Sequence, residues 1–290
     1  MDAKPLSERA LTGLEGFVTL VNDPTQIGAF YSLHKGLEDS AAMLSFEQTM
    51  LAVPGIRQLV EERYEPAPYS LAQLRQMPEG SLGRTHAERM LAGGLDPDVI
   101  QHNAESASVD TGEDDLARSA RYLTRRRTMT HDIHHTVTGF GTDLPGEVGL
   151  SAVYLAQIHH PVSLLYVSAV LLHTMPQPEL YGQALHRLRE GLEIGWQSAP
   201  LLAQKWELGW QRPLSDWRAE LGLTCSLTTV WQELRRRGLS HKKSRRTRPS
   251  RPARTSPRSA RRGAANSGGA GGGSPRSSSC SSTRPGRRLT

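Results

Sequence analysis

Beyond Glu233 the chain has no acidic residue and almost nothing apolar, only a run dominated by Arg, Ser, Pro and Gly that begins RRRGLSHKKSRRTRPSRP and continues to Thr290. Such a segment cannot offset its chain entropy by burial. Any core must therefore come from the residues before it, and residues 224–290 are expected to form a disordered basic tail. The charge breaks at the same place. All 29 acidic residues lie at or before Glu233, with 18 of the 35 Lys and Arg, so residues 1–233 carry −11 and the remainder +17. The net charge of +6 thus belongs to the tail, and the foldable part is acidic. It gives no general case for nucleic-acid binding. The tail itself reads as a polybasic arm for anionic lipid or nucleic acid, or as an extension without function, which its bare composition favours.

Within the first 223 residues, apolar side chains recur at helical spacing between Pro and Gly breaks. LTGLEGFVTLVND (11–23) and QIGAFYSLHKGLED (26–39) read as helices, and Pro54-Gly55 kinks or ends the one that follows. Two short helices flank MPEGSLG, and 114–141 reads as one long helix that ends near Gly139. The next is expected to start near Glu147 and run to Pro161, followed by SLLYVSAVLLHTM and PELYGQALHRLREGLEIGWQSAPLLAQKW. No two-residue hairpin turn joins alternating runs, so the expectation is an all-α single compact domain over 12–223, with 1–11 as an N-terminal extension. Two cysteines, Cys225 and Cys280, argue against a disulfide framework or a thiolate-rich zinc site. No stretch reads as a secretory signal, transit peptide or membrane span. A cytoplasmic location is therefore expected.

The chemistry concentrates in HDIHHTVTGFGTDLPGE, residues 131–147. On a helix His131 and His135 lie one turn apart on the same face, with Asp132 at its edge. TGFGTDLPG can reverse the chain and return Glu147 against that helix. The four would make an N₂O₂ set suited to Zn²⁺, Mn²⁺ or Fe²⁺. By spacing alone, however, such a segment is more often a polar helix face than a metal site. His134 should face elsewhere, exposed or just outside the ligands, and Asp143 stands as a bystander. His159 and His160, before Pro161, read as structural residues at a helix end.

HDxxH, eleven residues and then Glu, carried here by His131, Asp132, His135 and Glu147, resembles the signature of the ubiquinone (coenzyme Q) biosynthesis factor "four" family. MPEGSLGRTHAERMLAGGLDPD (77–98) and GWQSAPLLAQKWELGWQRPLSDWRAELGL (195–223) look like further family blocks in the right order, so the resemblance spans roughly residues 12–223. It implies an all-helical fold with a metal site beside an apolar cleft for a polyprenyl lipid. It also implies action on a polyprenylated benzoate precursor of ubiquinone, with removal of the ring carboxylate at C1 and hydroxylation there. The implied ligands are His131, Asp132, His135 and Glu147. Zn²⁺ is the first choice of ion, with Mn, Fe or Mg as others. No catalytic residue beyond the ligands is assigned. The implied partners are an isoprenoid lipid or quinone precursor, a membrane surface on which the protein sits peripherally, other quinone biosynthesis proteins and a second copy of the chain. The alternative is a non-catalytic lipid-binding scaffold that organises such a complex, its metal only fastening two helices.

Arg125, Arg126 and Arg127, in TRRRT just before the metal segment, are candidate contacts for phosphate or a substrate carboxylate, or else a solvated face paired with the acids at 113–115. Gln157, in the same block as Glu147, is a further candidate substrate or lipid contact. Trp196, Trp206, Trp210 and Trp217 are expected to pack the core. No Walker loop, GxGxxG or Ser/His/Asp pattern supports nucleotide, nicotinamide or covalent hydrolytic chemistry.

Overall fold

The computed structural model describes residues 7–38, 40–94 and 115–223. The basic tail and both cysteines lie outside the described residues. Eleven α-helices occur among those described: α1 (Glu8–Asn22), α2 (Ile27–Leu37), α3 (Ala41–Ala52), α4 (Pro54–Glu62), α5 (Leu71–Arg75), α6 (Leu82–Ala92), α7 (Asp115–Thr138), α8 (Leu144–Ile158), α9 (Pro161–Thr174), α10 (Pro178–Gln197) and α11 (Leu214–Leu221). Two 3₁₀ turns, Leu201–Ala203 and Trp206–Gly209, join α10 to α11. No strand is present among the described residues. One isolated bridge pairs Ser81 with Pro213.

Local chemistry sets the helix ends. Ser7, Ser40, Ser70 and Ser81 each accept a backbone N–H of the first turn of α1, α3, α5 and α6. Pro54 does not kink a helix. It opens a new one, because a proline at the first position loses no hydrogen bond. α1 begins at Glu8, inside the stretch expected to be an extension. α8 begins at Leu144, three residues before Glu147, because Asp143 caps it by accepting the Gly146 N–H at 3.0 Å. Asp143 is therefore a structural residue and not a bystander. His160 caps α9, its Nδ1 accepting the Ser163 N–H at 3.2 Å.

α8 is the buried centre. It hides Val148, Gly149, Leu150, Ala152, Val153, Tyr154 and Ile158, and it packs on α10 most extensively, then on α9, α3 and α7. The α8–α10 contact is backbone-close. A Cβ on Gly191 would stand 2.1 Å from the Gly149 carbonyl oxygen, and one on Gly195 would stand 2.6 Å from the Ala156 Cβ. Small residues at these positions let two backbones approach where any larger side chain would push them apart. Trp206, Trp210 and Trp217 are core residues, as expected, whereas Trp196 is 68% exposed. A surface depression between α3 and α4, lined by Gln48, Leu51, Ala52, Arg57, Val60 and Glu61, includes none of the candidate site residues.

Gly191→Ala should therefore cost about 1–3 kcal/mol, as overpacking does. Gly182→Ala on the same helix meets nothing within 4 Å and should be neutral or stabilising by up to about 1 kcal/mol. Thermal melts of the two variants check the contrast.

Candidate metal site

The site is built on the last two turns of α7 and the first turn of α8. Gly139 ends α7 with φ of 83°, a left-handed conformation that glycine adopts without strain. The chain then reverses through Phe140 and Gly141 to the Asp143 cap. Two guanidinium groups brace this turn from outside. Arg218 on α11 donates to the carbonyls of Val137 (2.8 Å) and Thr136 (3.1 Å), which are among the carbonyls that α7 leaves without helical partners. Arg89 on α6 donates to the Phe140 carbonyl.

That turn brings the sequence candidates together. His131, Asp132 and His135 each offer a ligand atom within 4.8 Å of the others, a group that could hold a metal ion. Glu147 faces both imidazoles: its Oε1 lies 3.0 Å from His135 Nε2 and its Oε2 lies 3.6 Å from His131 Nε2. Two ligands of a tetrahedral zinc ion, at 2.0–2.1 Å from it, stand about 3.3 Å apart. The observed spacings bracket that value.

The protonation pattern favours ligation. His135 is fully buried, and its Nδ1–H donates to the Phe140 carbonyl at 3.3 Å. The proton is then on Nδ1, which leaves Nε2 as a lone pair. That atom is buried without a hydrogen-bond partner, although the Glu147 carboxylate is adjacent. A lone pair aimed at a carboxylate is repulsive unless a cation or a proton lies between them. The residues present therefore fit a divalent ion. The pKa directions show the same attraction for positive charge. Burial pulls His131 down, but the Asp132 and Glu147 carboxylates outweigh it and hold the imidazole above its ordinary value. Burial pushes Asp132 and Glu147 up, but the histidines outweigh it and hold both carboxyls low.

Behind the group is a buried polar network that sequence reasoning missed. His134, expected to be exposed or just outside the ligands, is fully buried. Trp206 Nε1–H donates to its Nε2 at 3.2 Å, so its Nδ1 carries the proton and donates to the Tyr154 hydroxyl at 2.8 Å. His86 Nδ1 meets the Thr136 hydroxyl at 3.1 Å, and that hydroxyl donates to the Asp132 carbonyl at 3.0 Å. Arg89, His86, Trp206 and Arg218 all fall within the two flanking sequence blocks. Their spacing gave no sign that they converge on α7.

The arginine run divides. Arg125 pairs with Glu65. Arg126 is buried and forms a two-pronged pair with Glu207, Nη2–Oε2 2.9 Å, while also donating to the Gln204 carbonyl at 2.8 Å. Glu65 and Glu207 are thus their partners among the described residues, and the acids at 113–115, the other partners considered from the sequence, have side chains outside the described residues. Arg127 is buried over the Tyr154 ring. Gln157 points its amide at the turn after α10, donating to Ser198 Oγ (2.9 Å) and the Ala199 carbonyl (3.1 Å) and accepting the Leu201 N–H (3.0 Å). Its geometry is that of a clamp and not of a group open to a ligand.

Fold and site together define an all-helical protein that gathers two histidines and an aspartate on one helix against a glutamate of the next. The sequence profile of the family Coenzyme Q (ubiquinone) biosynthesis protein Coq4 matches residues 38–226, and the chain belongs to that family. It is similar to the mitochondrial ubiquinone biosynthesis protein coq4 of Talaromyces stipitatus, with 30% identity over 176 residues, 60% of this chain and 58% of that protein. It is also similar to the mitochondrial COQ4 homolog of Drosophila ananassae, with 26% identity over 219 residues, 75% of this chain and 78% of that protein. The chain thus spans less than two thirds of the Talaromyces protein's length. A crystal structure of a Nostoc punctiforme protein provisionally assigned to ubiquinone biosynthesis superposes with a TM-score of 0.61 at 28% identity, covering 73% of this chain and 97% of that one. Among the described residues no helix is long and apolar enough to cross a membrane.

The buried histidines set an acid limit on stability. Burial lowers His34 and His86 to about 4, and lowers His160 well below its ordinary value. All three are neutral in the fold, whereas the unfolded chain binds protons below about 6.5. Stability present above that pH should be lost as pH falls from about 6.5 to about 4. Asn is a good N-cap but cannot take up a proton. In urea denaturation at pH 7 and pH 5, His160→Asn should therefore lose less stability than the wild type.

Proposed function

We propose that this protein is a metal-dependent enzyme of ubiquinone head-group synthesis. Its reaction is removal of the ring carboxylate at C1 of a polyprenylated benzoate precursor, a proton taking the place of carbon dioxide. In the fuller form that carbon is hydroxylated instead, with molecular oxygen and two electrons as co-reactants and the second oxygen atom leaving as water. The observation that carries this reading is the convergence of two imidazole Nε2 atoms on one carboxylate at a partly open site, where His131 is 32% exposed and Glu147 25%. His131, Asp132, His135 and Glu147 would hold the ion, Zn²⁺ by donor set, with Mn, Fe or Mg as others. When bound, it would supply Lewis acidity to stabilise the negative charge that gathers on the ring as carbon dioxide leaves. The protein's own part is to orient the ligands. The Phe140 carbonyl fixes the His135 tautomer, and Arg89 and Arg218 hold the turn that presents Glu147. Membership of the family supports a role in ubiquinone synthesis. A polyprenyl substrate is insoluble, which supports an apolar cleft beside the site and peripheral attachment to a membrane surface; work alongside other quinone biosynthesis proteins and a second copy of the chain belongs to the same proposal.

A second reading has an observation of its own. The ligand group joins α7 to α8, so an ion there could simply fasten two helices of a lipid-binding scaffold. Metal analysis by mass spectrometry on the purified full chain should find about one divalent ion per chain. His131→Ala should lose most of it, and a metal-free wild type would return the group to an ordinary ion-pair cluster. In cells lacking the endogenous activity, Glu147→Ala should accumulate the carboxylated polyprenyl intermediate while keeping wild-type circular dichroism. A folded Glu147→Ala that still consumes the intermediate would leave only the scaffold reading.

A further inference from the structure

Three consecutive arginines precede the metal group, and the fold treats each differently. Arg125 and Arg126 are matched with Glu65 and Glu207. Arg127 is only 8% exposed, yet its guanidinium has no ion pair and no hydrogen bond among the described residues. What it has is the face of Tyr154, with the ring centroid 5.9 Å from its Cζ. Its other titratable neighbours are Tyr31, His34, His131 and His160, none of them a carboxylate. One aromatic face returns little to a guanidinium that has lost most of its water, and the group keeps its proton in any protein setting. A largely buried cation with no anion beside it among the described residues is prepared for one that a ligand brings.

Its position says which anion. Arg127 lies one helical turn before His131, and residues four apart share a helix face. Against a divalent ion, the charges of Asp132 and Glu147 already cancel. A further negative group brought to the site would leave it net negative, unless a cation stood ready one turn away. We infer that Arg127 is the substrate-binding residue that receives the carboxylate of an aromatic-acid substrate, as a two-pronged charge-assisted pair beside the metal group. The inference deepens the proposed function and rests on it. Because the pair forms before the carboxylate departs, it belongs to binding: loss of Arg127 raises KM more than it lowers kcat.

The test uses the full chain loaded with zinc and two probes, a short-chain prenylated hydroxybenzoate and its methyl ester, which has the same shape without the charge. Arg127→Met should weaken binding of the acid roughly 10- to 100-fold and leave the ester within about threefold of wild type, with zinc content unchanged. Its thermal midpoint should be no lower than wild type, since an unpaired buried cation has been replaced by an apolar chain of similar length. Arg127→Lys, which keeps the charge but loses the fork, should fall between. Equal weakening of acid and ester together with a lower midpoint would assign Arg127 to packing and overturn the inference. So would unchanged acid binding in both variants. Failure of the wild type to bind the acid at all would overturn the functional reading along with it. If Arg127→Met does not fold, Arg127→Lys decides, with wild-type acid affinity counting against the inference.

Discussion

The candidate metal group depends on a reversal of five residues, from Gly139 to Asp143, and within it on one backbone carbonyl. Phe140 points that oxygen back at His135 Nδ1 and receives Arg89 as well. Without it the imidazole would be free to take either tautomer or to turn, and its inner nitrogen would have no fixed role. With it, the lone pair is committed to the side where Glu147 arrives. Asp143, three residues on, restarts the helix so that Glu147 falls in the first turn of α8. There the positive end of the helix favours its carboxylate. Phe140 contributes its ring too, because Gly149 leaves room for it against α8.

The polar interior behind the group is expensive to bury and most of it is partnered, the Arg126 Nε atom being an exception. His134, Trp206 and Tyr154 satisfy one another, and Arg126 is matched by Glu207 in a buried two-pronged pair. A buried network with every member partnered rigidifies what it surrounds, whereas a partly satisfied one destabilises it. Against that background, the His135 Nε2 atom and the Arg127 guanidinium stand out as groups by the site that find no hydrogen-bond partner among the described residues.

Much of this was legible in the sequence, and the limits were physical. Helical period and Pro/Gly punctuation located the helices well, including the stop of α7 at Gly139, because those signals act over a few residues. The start of α8 was misplaced because Asp143 looked like loop, although an Asp three residues before a backbone N–H that needs an acceptor is a capping signal. The i, i+4 spacing picked out His131 and His135, and chain reversal brought Glu147 to them. Of the two places left open for His134, exposed or just outside the ligands, burial removes the first; a helical pattern says which residues share a face and nothing about what covers it, and here the cover is Trp206, seventy-two positions away. The same limit applied to the arginines. Three identical side chains in a row carry no sign that Glu65 and Glu207 will take the first two.

Arg218 has one more consequence, which concerns timing. The α7 helix that carries the ligands is fastened by segments made long after it: Glu207 to Arg126, Trp206 to His134, and Arg218 to the carbonyls that close its far end. These pairings span 72 to 82 positions, so their loop-closure entropy must be met before any of them contributes stability. During synthesis the histidines and Glu147 leave the ribosome well before the residues that lock them in place. The group thus acquires a rigid geometry only once α11, the last helix among the described residues, has docked. An ion met early would find loose histidines and carboxylates, and only one met late would find the fixed group.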